Sequence, residues 1–319
     1  MGTTESRSAD TVESRCADTV ESRSADTVES RCAGITESRH KDTTEFKALV
    51  RREGARLYRD LPWRNTHDPY LVLCSEVMLQ QTQVKRVLNY WDKWIATFPT
   101  VDALAAASTA DVLAIWQGLG YNRRALALKK AAEECSQRFS GKIPDNYQEL
   151  LALPGVGPTT AAGVCIFAFE QVHAYLETNV RTVFIHHFFK DCDKVRDTEI
   201  IPLLRQCCDA DDPRGWYYAL LDFGSHLKQI MPNPSRRSSH YAKQSTFEGS
   251  ARQKRAFLLR ELLSNSESST EDMLVAINRF ELQAGRDPIT LEDVENILHT
   301  LANDGFIVSA KEGLWSIAQ

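Results

Sequence analysis

The nine residues LPGVGPTTA, Leu153 to Ala161, put two glycines two residues apart just before a proline, between two stretches of helical periodicity. No other feature restricts the fold of this chain as much. Pro158 suits the first position of a helix, where a missing N–H costs nothing because that group has no partner inside the helix. Gly155 and Gly157 lack a Cβ, so the backbone can turn sharply and approach another molecule. Free N–H groups at the helix start, with the positive end of its dipole, make Gly155, Val156, Gly157 and Thr159 a candidate anion site. An ordinary corner of a helical protein fits these residues too, since glycine is common at helix ends.

The 319 residues are enough for two domains, and 43% hydrophobic with 25% charged residues is an ordinary globular balance. No run approaches eighteen apolar residues, which excludes a transmembrane helix. Eight cysteines form no Cys-x-x-Cys pair, and their scatter argues for reduced thiols in the cytoplasm rather than a disulfide framework or zinc site. The first residues fit the bare myristoylation pattern, with no second membrane signal nearby. The net charge of −5 is concentrated at the start, where residues 1–45 hold ten acids against six bases. The rest is nearly neutral and can still carry a basic face.

Residues 3–42 repeat every eight residues (TVESRCAD and close variants) with almost no large aliphatic side chain. Such units cannot bury enough surface to offset their ordering entropy, so residues 1–45 are expected to be disordered. From Phe46 the periodicity becomes helical. Further helices are expected at 70–80, 84–95, 109–117, 123–138, 146–153, 158–169, 178–189, 199–208 and 214–228, with no strand before residue 300. Residues 46–230 thus read as an all-α domain. Met231-Pro232-Asn233-Pro234 breaks the pattern and opens a basic linker, 231–252, that reads as a solvated connection or as a strap along a phosphate backbone. Three helices and a hairpin over 253–319 suggest a small winged-helix-like module.

Several ordered strings carry the chemistry: LPWR from Leu61, SEVMLQQTQV from Ser75, GLGY from Gly118, the glycine turn, and LETNVR from Leu176. Together they resemble the helix-hairpin-helix DNA glycosylases of the MutY type, over roughly residues 46–228. The resemblance implies two helical subdomains around a cleft and excision of adenine mispaired with guanine or 8-oxoguanine. It makes the glycine turn a hairpin that grips a DNA phosphate without reading sequence. Double-stranded mismatched DNA is the implied partner, of a monomer associated with the nucleoid and not with membranes.

Cleaving the bond between adenine and deoxyribose needs one carboxylic acid to protonate the base and one carboxylate to steady the cationic sugar. Glu76 falls on the family's acid, and its pKa must then be raised by burial. Glu177 falls where the family usually has Asp, one methylene shorter, and Asn179 matches the Asn that supports that carboxylate. Arg59, Trp63 and Arg64 match positions lining the adenine pocket, Gln81 and Tyr121 match residues that wedge into the duplex, and Asp222 matches a pocket-edge acid. Thr159 stands where lyase-active relatives carry a nucleophilic lysine, so the resemblance implies a monofunctional enzyme. Most members hold a four-iron cluster just past this point. Here no cysteine follows Cys208, and Lys228 replaces the first ligand, so no cluster is expected. The hairpin carbonyls are a candidate site for a monovalent cation. The C-terminal domain that reads 8-oxoguanine in the family has no counterpart in 253–319. A glycosylase for another base such as thymine, and a catalytically impaired DNA-binding protein, are the alternatives.

Overall fold

The computed structural model describes residues 42–309 and 313–319. The chain divides into two compact units, Met1–Leu49 and Val50–Gln319. Most of the expected disordered tail lies outside the described residues. Residues 42–45 correct that expectation, because they form the first turn of helix α1, Asp42–Leu57.

Ten helices follow α1 to residue 230: α2 Pro69–Leu79, α3 Val84–Thr97, α4 Val101–Ala106, α5 Thr109–Trp116, α6 Arg123–Phe139, α7 Tyr147–Ala152, α8 Pro158–Phe169, α9 Thr178–Phe188, α10 Asp197–Cys207 and α11 Pro213–Ile230. Their starts are set locally. Asp68 caps α2 by accepting from Tyr70 N at 2.8 Å, with Pro69 behind it, and Asn146 caps α7 through Gln148 N and Glu149 N. Helix α4 was not expected. Its alanines show no apolar stripe, and its start rests on Thr100 accepting from Ala103 N at 3.1 Å.

Two helices, α2 and α8, are apolar nearly all round and pack on each other at the centre, as a helix buried on every side must. Helix α9 packs on α11, and α4 on α6. Trp94, Trp116, Trp216, Phe167 and Phe184 are among the largest fully buried side chains.

Past α11, Pro234–Arg237 form a single 3-10 turn, a correction to the expected absence of helical structure there. The basic linker is also less free than its composition suggests. Arg237 donates to the carbonyls of Ile185, Phe189 and Lys190, closing the C-terminal end of α9. Helices α12 Ala251–Ser264, α13 Thr270–Gln283 and α14 Leu291–Asn303 follow. They carry a three-stranded antiparallel sheet in the order β1 (Ser268–Ser269), β3 (Leu314–Ile317), β2 (Ile307–Ser309). Strand β1 corrects the reading that no strand precedes residue 300. Two serines have no apolar alternation, and only pairing with β3 makes them a strand. No helix among the described residues is long and apolar enough to cross a membrane.

Candidate active site

Glu76 is the one carboxylic residue in the apolar wall of α2. Its carboxylate lies over Gly163 of α8, where an added methyl group would sit 2.3 Å from Oε2. Tyr175 Oη donates to the same oxygen at 3.2 Å. Burial pushes the Glu76 carboxyl up to about 8; the Tyr175 hydrogen bond pulls the other way, and repulsion from Glu177 adds to the rise. A carboxyl so placed is mostly protonated at neutral pH.

Glu177 is the N-cap of α9. Its Oε1 accepts from Asn179 N and from Val180 N at 2.9 Å, and Asn179 Nδ2 donates to Oε2 at 3.2 Å. Burial raises its pKa above the usual carboxylate value, and these donors and the Lys228 ammonium offset part of that rise. The two carboxyl groups therefore share a site but not an environment: Glu76 receives one phenol hydrogen bond, and Glu177 receives three N–H donors beside a cation. Unlike environments of this kind move two carboxyl groups apart in pKa. Asn179 Oδ1 is buried without a hydrogen-bond partner among the described residues.

Lys228 lies on α11, one turn beyond Gly224. At Gly224 the two helices touch, and an added Cβ would lie 2.1 Å from the Asn179 carbonyl oxygen. The same face of α11 therefore carries Lys228 towards the start of α9. Burial lowers the Lys228 pKa, Glu177 raises it, and Arg59 lowers it further.

Other expected pocket residues are placed differently. Trp63 is 4% exposed and packs edge-on against Trp91, with ring centres 5.4 Å apart, so it presents no open stacking face. Arg64 donates to both oxygens of Asp222, at 2.7 and 2.8 Å, and Arg59 Nε donates to Oδ1 at 2.5 Å. The side chains of Arg64 and Asp222 are 2% and 1% exposed. Arg64 thus spends its terminal donors inside the protein, and Asp222 is a buried anchor rather than an acid at the pocket edge. The physical reason is charge: each desolvated ion demands the other.

At the glycine turn the assignments separate. Gly155 has φ +73°, and a Cβ there would meet Ala127 Cβ at 2.5 Å, so this glycine serves the turn and its packing on α6. Val156 N donates to Leu153 O at 3.1 Å, which removes it as a free donor. Gly157, the N-cap of α8, has nothing within 4 Å of its missing Cβ, and Thr159 is exposed. These two keep the open approach that an anion at a helix start needs. Gln81 (φ +53°) and Tyr121 (φ +50°) are exposed non-glycine residues in left-handed backbone, a conformation they share with the helix C-caps Ser140 and Glu170.

Arg124 carries no recognisable string, yet it organises this region. Its Nη1 donates to the carbonyls of Val77 and Met78 at 2.9 and 3.0 Å and to Gln80 O, closing the end of the helix that holds Glu76. Its Nη2 donates to Gly120 O at 2.8 Å, tying down the loop that carries Tyr121. Tyr175 also escaped notice, although it stands two residues before Glu177.

An iron–sulfur cluster is held by thiolates. Burial pushes the Cys74, Cys135 and Cys165 thiols up to about 12, 11 and 11. Among the described residues, no three His, Cys, Asp or Glu side chains are grouped to hold a metal.

Residues 74–201 match the HhH-GPD superfamily base excision DNA repair protein family. The adenine DNA glycosylase of Mycobacterium tuberculosis is 46% identical over 129 residues, 40% of this chain and 42% of that protein. The mouse (Mus musculus) adenine DNA glycosylase is 37% identical over 151 residues, 44% of this chain and 29% of that protein. The chain therefore spans less than half the length of these curated relatives. A thermostable thymine-DNA glycosylase superposes with a TM-score of 0.55 at 23% identity, covering 62% of this chain and 92% of that one. An endonuclease III in a non-covalent DNA complex gives 0.52 at 18% identity, covering 60% and 89%. These two likenesses show the fold. The likeness of this chain to the HhH-GPD superfamily of base excision DNA repair proteins thus lies in residues 74–201.

Proposed function

We propose that this protein, a monomer acting at the nucleoid, hydrolyses the N-glycosidic bond of adenine mispaired with guanine or 8-oxoguanine in duplex DNA. The observation that carries the reading is the unlike surroundings of Glu76 and Glu177: Glu76 sits in an apolar wall with one phenol hydrogen bond, and Glu177 accepts three N–H hydrogen bonds at the start of α9. The adenine DNA glycosylases similar to its core support the choice of base.

Everting the adenine brings its N7 to the protonated Glu76. Proton transfer makes adenine a neutral leaving group as the C1′–N9 bond breaks. Glu177 stabilises the oxocarbenium-like sugar. Water, held by Glu177 and the unpaired Asn179 Oδ1, adds its oxygen to C1′ and passes its proton to the Glu76 carboxylate, which restores the acid and leaves an abasic site. Thr159 has no amine to form a Schiff base at the sugar, so the strand stays intact. The hairpin from Gly157 holds a backbone phosphate of the substrate duplex.

Purified protein in excess over duplexes bearing A·G, A·8-oxoguanine, A·C and G·T, followed by alkali or by neutral handling, tests this. Alkali-dependent cleavage at the adenine opposite guanine or 8-oxoguanine is the expected result. Cleavage at thymine alone, strand scission without alkali, or no product would overturn it.

A further inference from the structure

Two side chains from outside the matched family region converge on the tip of Tyr121. Arg252 Nη1 donates to Tyr121 Oη at 2.8 Å, and Gln244 Nε2 donates to the same oxygen. The Arg252 and Arg124 guanidinium groups each lie 5.6 Å from the centre of the Tyr121 ring. Arg252 also donates through Nη2 to Ser245 O at 2.8 Å, which fixes the strap on which Gln244 sits. The strap is open to solvent and carries an aromatic residue at each end of a mostly polar run: Tyr241 is 43% exposed and Phe247 49%, with Lys243 and Gln244 between them. Its position beside Tyr121 is built in. Asp304 of the C-terminal module accepts from Arg123, two residues past Tyr121, at 2.6 Å, and also from Arg255.

We propose that Gln244 and Arg252 read the base left without a partner when the adenine is everted, with the O6 acceptor common to guanine and 8-oxoguanine, and N7 of guanine, as their ligand. This deepens the proposed function and rests on it for the identity of the everted base. Two donors converging on one phenol oxygen form a site already arranged for an acceptor. In DNA the acceptor edge of guanine takes the place of the Tyr121 hydroxyl, as arginine commonly pairs with O6 and N7. Cytosine offers an N4 donor on its corresponding edge and leaves the donor-only Arg252 guanidinium unsatisfied. Tyr241 and Phe247 supply faces on which neighbouring unstacked bases rest. The module over 253–319 is then the mount that sets the strap against the wedge. Gln244 and Arg252 lie beyond residue 201, where the family match ends.

The test compares wild type with Gln244→Ala, Arg252→Ala and the double variant, in the full chain. Binding is measured by fluorescence anisotropy on duplexes carrying a non-hydrolysable 2′-fluoro-adenosine opposite guanine or cytosine, and single-turnover excision on A·G and A·C. The double variant is expected to lose about tenfold to a hundredfold of the preference for guanine in both readouts, with binding opposite cytosine nearly unchanged. Equal weakening on both duplexes would make these residues phosphate contacts and overturn the proposal, as would unchanged preference. If wild type binds with a preference that the variants lose but excises nothing, the proposed activity fails while the reader stands.

Discussion

The Glu76 carboxylate rests on the bare Cα of Gly163, and an alanine methyl there would lie 2.3 Å from Oε2. The intruding methyl would meet the mobile end of a side chain, so the fold can yield while the acid is moved. Gly163→Ala is expected to keep its thermal midpoint within a few degrees while excision slows by about a hundredfold, the cost of misplacing a reacting group by ~1 Å. Calorimetry beside single-turnover kinetics checks both halves; equal loss of fold and rate would point to packing alone.

The rate should depend on pH as a bell. Protonated Glu76 is the active form, so excision falls as pH rises through about 8. Ionised Glu177 is also required, so excision falls again on the acid side, at the pKa of that second group. Glu76→Gln should reduce the rate by about 10²–10⁴-fold and abolish the alkaline limb. A pH series of single-turnover rates reads this directly.

The same shift makes a stability prediction. A carboxyl whose pKa rises from 4.5 unfolded to about 8 folded contributes stability that is full below 4.5 and is lost as pH climbs through 8. Glu76→Gln removes that loss. Its thermal midpoint should match wild type near pH 4 and exceed it progressively towards pH 8. A gap that stays constant with pH would contradict the buried-acid assignment.

Lys228 counteracts the cost of burying a charged Glu177. Lys228→Met should therefore move the acid limb of the rate profile to higher pH, and Lys228→Arg should return it. A uniform drop at every pH, without movement of the limb, would assign Lys228 to packing instead.

Arg64 and Asp222 are a desolvated pair. Arg64→Met leaves Asp222 with only the Arg59 contact, so it should destabilise the fold by about 3–5 kcal/mol, as breaking a buried pair does. Urea unfolding at pH 7 measures it. A small effect together with a large loss of substrate affinity would restore Arg64 to the pocket lining.

Local patterns made the helices legible: apolar spacing, Asp68-Pro69 before α2, and Gly157-Pro158 before α8. The glycine turn and the string around Glu76 pointed to both ends of the site. Trp63, Arg64 and Asp222 show where that reading stops. Their residue types suggested a recognition pocket, but whether a donor faces a ligand or an internal partner depends on a residue 158 positions away. Arg124 and Tyr175 were hidden for the same reason, since neither role has a local pattern.

Sequence alone determined the helical architecture, the glycine-hinged turn and the presence of two acids at separated points, because caps, periodicity and backbone permissiveness act over a few residues. Tertiary structure decided that Glu76 is a neutral acid and Glu177 a hydrogen-bonded carboxylate, and that Tyr121 is held by a strap more than 120 positions along the chain. Those properties arise from desolvation and from partners that only packing brings together.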